Sequence, residues 1–364
     1  MKTCLIYNYA QHYRTNIFTL MDQNMNIDFY FGDKYLNVQK MDYSLLSNKV
    51  TEVRNKWLGS IGWQTGVVKL VFKNYNTYIM LGEPMVLSTW LVLLLGRLMG
   101  KNIYFWTHGW YGKETKVKAI IKKIFFGLAN GCLLYGNYAR ELMIKEGFNP
   151  QKLSVIHNSL LYDKQIRIRE CLQKTDIFIN YFKNNNPIVV FIGRLTAIKK
   201  LDQLLLAQEL CAKRGFFFNV AFIGDGQIKT NLESLANTLG TIKNVWFYGP
   251  SYNEEELSNI LYNADLCVAP GNIGLTAMHA MVYGCPCISH NDFKWQMPEF
   301  EAIKDGVTGT FFERDNINSL ADSIENWLKN FDRNKVRLSC FKEIDEEWNP
   351  HKQLDIIKKA INDV

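Results

Sequence analysis

Pro187-Ile-Val-Val-Phe-Ile-Gly193-Arg-Leu-Thr-Ala-Ile-Lys199-Lys200 is an apolar, β-branched run that ends on a glycine and turns through a basic loop, leading into a helix-like stretch from Leu201 to Ala212. Short β-branched runs bounded by turn residues read as buried strands, and the spacing that follows has the helical period. Working outward, the same alternation continues on both sides. Downstream lie Phe218-Asn-Val-Ala-Phe-Ile-Gly224, Val245-Trp-Phe-Tyr248, Leu266-Cys-Val-Ala269 and Pro286-Cys-Ile-Ser289. Upstream lie Thr3-Cys-Leu-Ile-Tyr7, Tyr78-Ile-Met-Leu81, Asn102-Ile-Tyr-Phe-Trp106 and Gly131-Cys-Leu-Leu-Tyr135. Strands that alternate with helices call for parallel sheets with helices on their faces.

The expected fold is therefore α/β, with two Rossmann-like, doubly wound parallel-sheet domains. The first is expected over residues 1–165 and the second over residues 187–345, with a final helix at 350–364 crossing back to the first. The charged stretch from Leu160 to Asn186, ending in Lys183-Asn-Asn-Asn-Pro187, reads as the linker. Two such domains facing each other would bring the C-terminal edges of both sheets onto a central cleft, where ligands bind in these folds.

Charge divides the chain. Residues 1–180 carry 23 Lys and Arg against 12 Asp and Glu, and residues 181–364 carry 19 against 23, so only the first half is basic. That half suits an anionic membrane face or a phosphate-bearing acceptor. Nucleic acid is disfavoured, because no recognition module joins the basic residues. The eight cysteines are scattered through apolar runs, as reduced core thiols are. Cys285-Pro-Cys287 lacks a second pair at zinc spacing, and no Asp-x-Asp metal signature occurs. Met1-Lys-Thr-Cys-Leu-Ile-Tyr7 reads as a first strand and not as a signal peptide. The longest apolar stretch, Met85 to Leu95, is too short to span a bilayer. A cytoplasmic protein is expected, at most peripheral at the inner face of the membrane.

Several loops carry chemistry. Gly193 lets backbone approach a phosphate, and Arg194 with Lys199 offers two cations one loop apart. Phe222-Ile-Gly224-Asp-Gly226 and Val245-Trp-Phe-Tyr248-Gly249 are strands ending in turns. The richest segment is Ala269-Pro-Gly-Asn272-Ile273-Gly274-Leu275-Thr-Ala-Met-His279-Ala-Met-Val-Tyr-Gly-Cys-Pro286, a strand, a Gly-containing loop and a helix from Leu275 to Tyr283. Its amides at Asn272, Ile273 and Gly274 are expected to point at an anion, with His279 one turn inside.

In this order, and with Glu301-Ala-Ile-Lys-Asp-Gly-Val-Thr-Gly309 following, the motifs resemble GT-B glycosyltransferases of family 4, also called the glycosyltransferase group 1 family. The resemblance covers residues 187 to about 330, with Tyr135-Gly-Asn-Tyr-Ala-Arg and Ser154-Val-Ile-His-Asn-Ser159 similar to the family's approach to its hinge. It implies a GT-B fold and transfer of a sugar, with retention, from a nucleotide diphosphate donor, UDP-linked. The reaction would need neither metal nor cofactor, and the acceptor would be a glycan or lipid-linked oligosaccharide in surface polysaccharide synthesis. It implies Arg194 and Lys199 on the diphosphate, Tyr248 and Gly249 near the base, and Asn272 to Leu275 against the donor sugar and phosphates. Gly193, Gly224, His279 and Glu301 complete the implied donor site. One departure stands out: the family's two glutamates, eight residues apart, are replaced by Gly271 and His279. Imidazole can still bond a ribose hydroxyl, but Gly271 offers no side chain to the sugar; Glu299 is a candidate substitute.

The first half should hold the acceptor. His108, in Trp106-Thr-His-Gly-Trp110-Tyr111, looks like the family's histidine facing the transferred sugar, and Trp110 is a ring on which a sugar could stack. Arg14, in the first strand-to-helix loop, could take a phosphate or carboxylate, and Glu83 ends another strand. Lys113-Glu-Thr-Lys-Val-Lys-Ala-Ile-Ile-Lys-Lys-Ile-Phe-Phe126 alternates lysines with apolar residues, as an interfacial helix does. Two rival readings are a nucleotide-sugar epimerase of the same fold and a non-catalytic partner that binds nucleotide or glycan.

Overall fold

The computed structural model describes residues 2–34 and 38–362. They form two compact units, Met1–Leu161 with Asn349–Val364, and Tyr162–Trp348.

The first unit contains strands β1 (Thr3–Tyr7), β2 (Ile27–Gly32), β3 (Val50–Val53), β4 (Asn55–Leu58), β5 (Ile61–Gln64), β6 (Thr77–Leu81), β7 (Asn102–Thr107), β8 (Gly131–Leu134) and β9 (Leu153–Val155). Its helices are α1 (Thr15–Asn24), α2 (Leu87–Leu98), α3 (Lys116–Gly127) and α4 (Asn137–Lys145). Seven strands form a parallel sheet in the order β3-β2-β1-β6-β7-β8-β9, and β4 and β5 make a separate antiparallel hairpin. β1 is buried along its whole length, as a central parallel strand covered on both faces must be.

The second unit opens with α5 (Tyr162–Glu170) and α6 (Ile177–Phe182), followed by β10 (Ile188–Ile192), α7 (Asp202–Lys213), β11 (Asn219–Ile223), α8 (Lys229–Thr238), β12 (Val245–Gly249), α9 (Glu254–Asn263), β13 (Leu266–Ala269), α10 (Thr276–Val282), β14 (Cys287–His290), β15 (Gly309–Phe312), α11 (Ile317–Asn330) and α12 (Arg333–Glu346). Its six parallel strands run β12-β11-β10-β13-β14-β15. In α7, Asp202 in the first turn and Lys213 in the last complement the helix dipole, while Leu204, Leu205 and Cys211 face the core. The last helix, α13 (Pro350–Asn362), belongs to the first unit and packs on α1 through Leu354, Ile357 and Ile361.

The stretch expected as a linker is folded. Phe178 and Phe182 are buried, Tyr181 stacks on Trp246 at 4.1 Å between ring centroids, and Gln165 donates to the buried Glu254 carboxylate at 2.8 Å. Its high charge lies on the outer face, and its aromatic residues tie it to the second unit.

In each sheet the strand order reverses once, between β1 and β6 and between β10 and β13. Loops leaving the C-terminal ends of those strands frame the ligand crevice of a doubly wound unit. β10 delivers Gly193 and Arg194, β13 delivers Gly271 and Asn272, and β1 delivers the loop that ends at Arg14.

Candidate functional site

In the second unit the turns after β10, β11, β12 and β13 meet. The Gly193 amide donates to Ile223 O at 2.9 Å, and the Gly224 amide donates to Gly249 O at 2.8 Å. Gly224 has φ of 147°, and a Cβ there would lie 1.9 Å from Gly193 O, so two strand ends touch through bare backbone. Thr276, at the start of α10, donates its hydroxyl to Ile192 O at 2.7 Å and locks the helix to β10.

Lys199 reaches across the crevice. Its Nζ donates to Asn272 O at 2.6 Å and Asn272 Oδ1 at 2.9 Å. Gly271 N returns a hydrogen bond to Lys199 O at 2.9 Å. Burial foremost, with a smaller push from Arg194, brings the Lys199 ammonium down to about 8 against the opposing pull of Glu299 and Cys267. Glu299 is itself buried, so it is an electrostatic neighbour of Lys199. Arg194 is exposed at the end of β10.

The loop 271–275 is pinned by a residue not singled out from sequence. Gln296 accepts from the Ile273 amide at 2.9 Å and donates to Ser289 Oγ at 2.8 Å and His290 O at 3.0 Å. This corrects one expectation: the Ile273 amide is engaged inside the protein, and Ile273 itself is fully buried. Asn272, Gly274 and Leu275 remain at the crevice, and Gly274 has φ of 56° beside Lys199 Nζ. His279 is half-buried one turn into α10, which spans Thr276–Val282. Tyr248 is half-buried at the end of β12, its phenol raised by burial and by the Glu256 carboxylate. Glu301 is half-buried in the 3-10 turn Pro298–Ala302 that also carries Glu299.

In the first unit the C-terminal ends of β1, β7 and β8 carry an aromatic and basic cluster. Arg14 Nη2 donates to Tyr135 Oη at 2.7 Å, and the Tyr135 and Tyr7 hydroxyls share a 2.8 Å hydrogen bond. The His108 ring lies 4.6 Å from the Tyr135 ring and 6.0 Å from that of Tyr111. Burial, then Arg14 and Lys122, push the His108 imidazole down to about 4, so it is neutral at pH 7. Lys122 of α3 turns inward, donating to Gly109 O at 2.8 Å and to the Glu114 carboxylate at 2.7 Å. Glu114 in turn accepts from the amides of Tyr111, Gly112 and Lys113, which fixes the loop after His108.

Trp110 is not a sugar platform. It is 4% exposed, edge-on to Phe148 and below Lys122, so its ring is spent on the core. Glu83 is exposed at the end of β6 and accepts from the Met85 amide at 3.3 Å. Cys285 and Cys287 are buried free thiols, and among the described residues no cluster of His, Cys, Asp and Glu is placed to hold a metal ion.

Residues 172–339 match the family described as glycosyl transferases group 1. A Klebsiella pneumoniae protein named "Uncharacterized 41.2 kDa protein in cps region" is 25% identical over 224 residues, which is 60% of this chain and 57% of that one. The chain thus spans little more than half of that relative's length. Two solved structures share the fold over the full chain. The lipopolysaccharide outer core galactosyltransferase WaaB, apo form, has TM-score 0.73 at 16% identity, covering 100% of this chain and 99% of that one. Anabaena Alr3699/HepE in complex with UDP has TM-score 0.75 at 14% identity, covering 100% of both. With its two parallel-sheet units the chain has the GT-B fold, and within the second unit its residues 172–339 match the glycosyl transferases group 1.

Proposed function

We propose that this protein transfers a sugar, with retention and without a metal or other cofactor, from a UDP-sugar to a glycan or lipid-linked acceptor in surface polysaccharide synthesis. One observation carries the reading: Lys199 is drawn over the β13 loop at the strand-order switch, with Arg194 on the adjoining strand end. Two cations and the unspent amides of the 272–275 loop would hold a diphosphate and stabilise the charge it gains on leaving. Tyr248 and Gly249 border the place for the base, His279 would bond the ribose, and Glu301 would complete the donor rim. HepE was solved with UDP, which supports the choice of nucleotide. The names of the Klebsiella relative and of WaaB support the setting.

On the acceptor side, neutral His108 would face the transferred sugar, with Arg14 and Glu83 at neighbouring strand ends. The first unit also carries an apolar surface that favours peripheral contact with an anionic membrane. Val117, Ile120 and Ile124 on α3 and Leu94 and Leu98 on α2 are 45 to 84% exposed, beside exposed Lys116, Lys118 and Lys123. No helix among the described residues is long and apolar enough to cross a membrane.

The deciding measurement is calorimetric titration of the protein with UDP-, GDP- and dTDP-sugars, alongside Arg194→Ala and Lys199→Ala. Tight binding of one UDP-sugar, weakened at least tenfold in either variant, is the expected result; no binding of any nucleotide would overturn the reading.

A further inference from the structure

Among the described residues Arg14 is a buried cation without an anion. It is 6% exposed, and its guanidinium carbon lies 5.3 to 5.5 Å from the ring centroids of Tyr7, Trp106 and Tyr135. Among the described residues only Nη2 finds a partner, Tyr135 Oη at 2.7 Å; Nε and Nη1 are buried with no hydrogen-bond partner there. Among the described residues no carboxylate pairs with it. The Nδ1 of adjacent His108 is likewise buried and unpartnered. Ring faces attract a cation, but they do not satisfy in-plane N–H donors, and a water molecule would satisfy the donors without balancing the charge. A guanidinium buried only for stability is normally matched by a carboxylate.

We propose that Arg14, with His108 beside it, is a receptor for a single oxyanion, a carboxylate or a phosphate, carried by the acceptor. An unpartnered N–H of Nε or Nη1, together with the second N–H of Nη2, can take the two oxygens of one anion, and neutral His108 adds a donor in the tautomer protonated at Nδ1. The position fits the assignment. Arg14, His108 and Tyr135 follow the C-terminal ends of β1, β7 and β8, the edge where a doubly wound unit binds ligand. Tyr135, held by Tyr7, fixes the guanidinium from behind and leaves the remaining N–H groups as the recognition surface. The class of acceptor rests on the transferase reading; the anion site itself does not.

The test uses the full chain saturated with UDP, so that phosphate cannot register at the donor site. It is titrated with methyl β-glucuronide, with glycerol phosphate and with uncharged methyl β-glucoside, following intrinsic tryptophan fluorescence and the melting temperature. At least one anion is expected to bind about tenfold or more tightly than the glucoside and to raise the melting temperature with concentration. The stronger of the two identifies carboxylate or phosphate. Arg14→Met should abolish that preference, keep UDP affinity and melt no lower than the parent, because it replaces an uncompensated charge by an apolar chain of similar length. Equal binding of all three probes, a preference that survives in Arg14→Met, or a variant that melts well below the parent would overturn the proposal. Loss of UDP binding by the parent chain would instead strike at the transferase reading.

Discussion

A Cβ on Gly271 would lie 2.0 Å from the carbonyl oxygen of Ile198. The family's first glutamate is absent at this position, and the backbone of the Ala197–Lys199 turn fills the space its stem would need. The contact is backbone to backbone, so no side-chain rotamer can relieve it.

Restoring an acid at 271 should therefore harm the protein. Gly271→Ala is expected to cost about 1–3 kcal/mol in urea unfolding, the usual range for overpacking a tight site. Gly271→Glu should in addition displace Lys199, whose carbonyl accepts from the Gly271 amide, and weaken UDP binding at least tenfold. A Gly271→Glu protein with parental stability and improved sugar transfer would show that the loop yields freely.

Much of this was open to reading in the sequence, and what was not has physical causes. The strands were legible because buried parallel strands are continuous apolar runs, as Ile188–Ile192 is. The placement of Arg194, Lys199 and the 272–275 loop beyond strand ends was legible, because loops that leave parallel strands lie at the ligand edge of this architecture. Trp110 was misread because an aromatic residue after a strand has the same signature whether it faces ligand or core. The Gln296 clamp was invisible, since it joins residues 23 positions apart through a hydrogen bond with no local pattern. The 160–186 segment read as a linker because charge outweighs two aromatic residues in composition, yet Phe178 and Phe182 are what hold it down.

Lys199 should give donor binding a pH dependence. Its folded value, about 8, is below the ordinary 10.5, so between those pH values the unfolded chain holds a proton that the folded chain lacks. Stability from this group therefore rises with pH across that window, and the cost of burying the charge is fully present below pH 8. A bound diphosphate needs the charged ammonium, so above pH 8 Lys199 must take up that proton when UDP binds. UDP affinity should thus fall above pH 8, by up to about tenfold per pH unit, while UDP itself stays fully ionised. Lys199→Met should bind UDP more weakly at pH 7 and lose the alkaline fall; calorimetry at pH 7, 8 and 9 checks both. An unchanged fall in the variant would assign it elsewhere.

His108 is neutral over the physiological range, with its pKa near 4. A pH-rate profile should therefore show no inflection from this residue between pH 5.5 and 8. His108→Ala should lower kcat by about 10²-fold or more if the imidazole acts on the reacting groups, with UDP affinity kept because UDP lacks the transferred sugar. A variant with parental kcat would reduce His108 to packing.

The exposed apolar residues of α3 are not the ones that hold the helix to its unit. Phe125 and Phe126 do that, with Phe125 stacked on Phe105 at 4.3 Å, while Val117, Ile120, Ile121 and Ile124 are 40 to 67% exposed. In the second unit large exposed apolar residues such as Ile198, Tyr252 and Leu338 are scattered singly, as is ordinary for protein surfaces. An apolar stripe flanked by lysines has the make-up of an interfacial helix, whose binding adds apolar burial to attraction for anionic lipid. The protein should therefore co-sediment with vesicles containing phosphatidylserine, less with pure phosphatidylcholine, and less again as salt is raised. Ile120→Glu combined with Ile124→Glu removes apolar area and adds two negative charges without touching the core contacts. That variant should lose at least tenfold in vesicle affinity while melting temperature and UDP binding stay unchanged. Equal binding to charged and neutral vesicles, or full retention by the double variant, would show that this surface does not meet lipid.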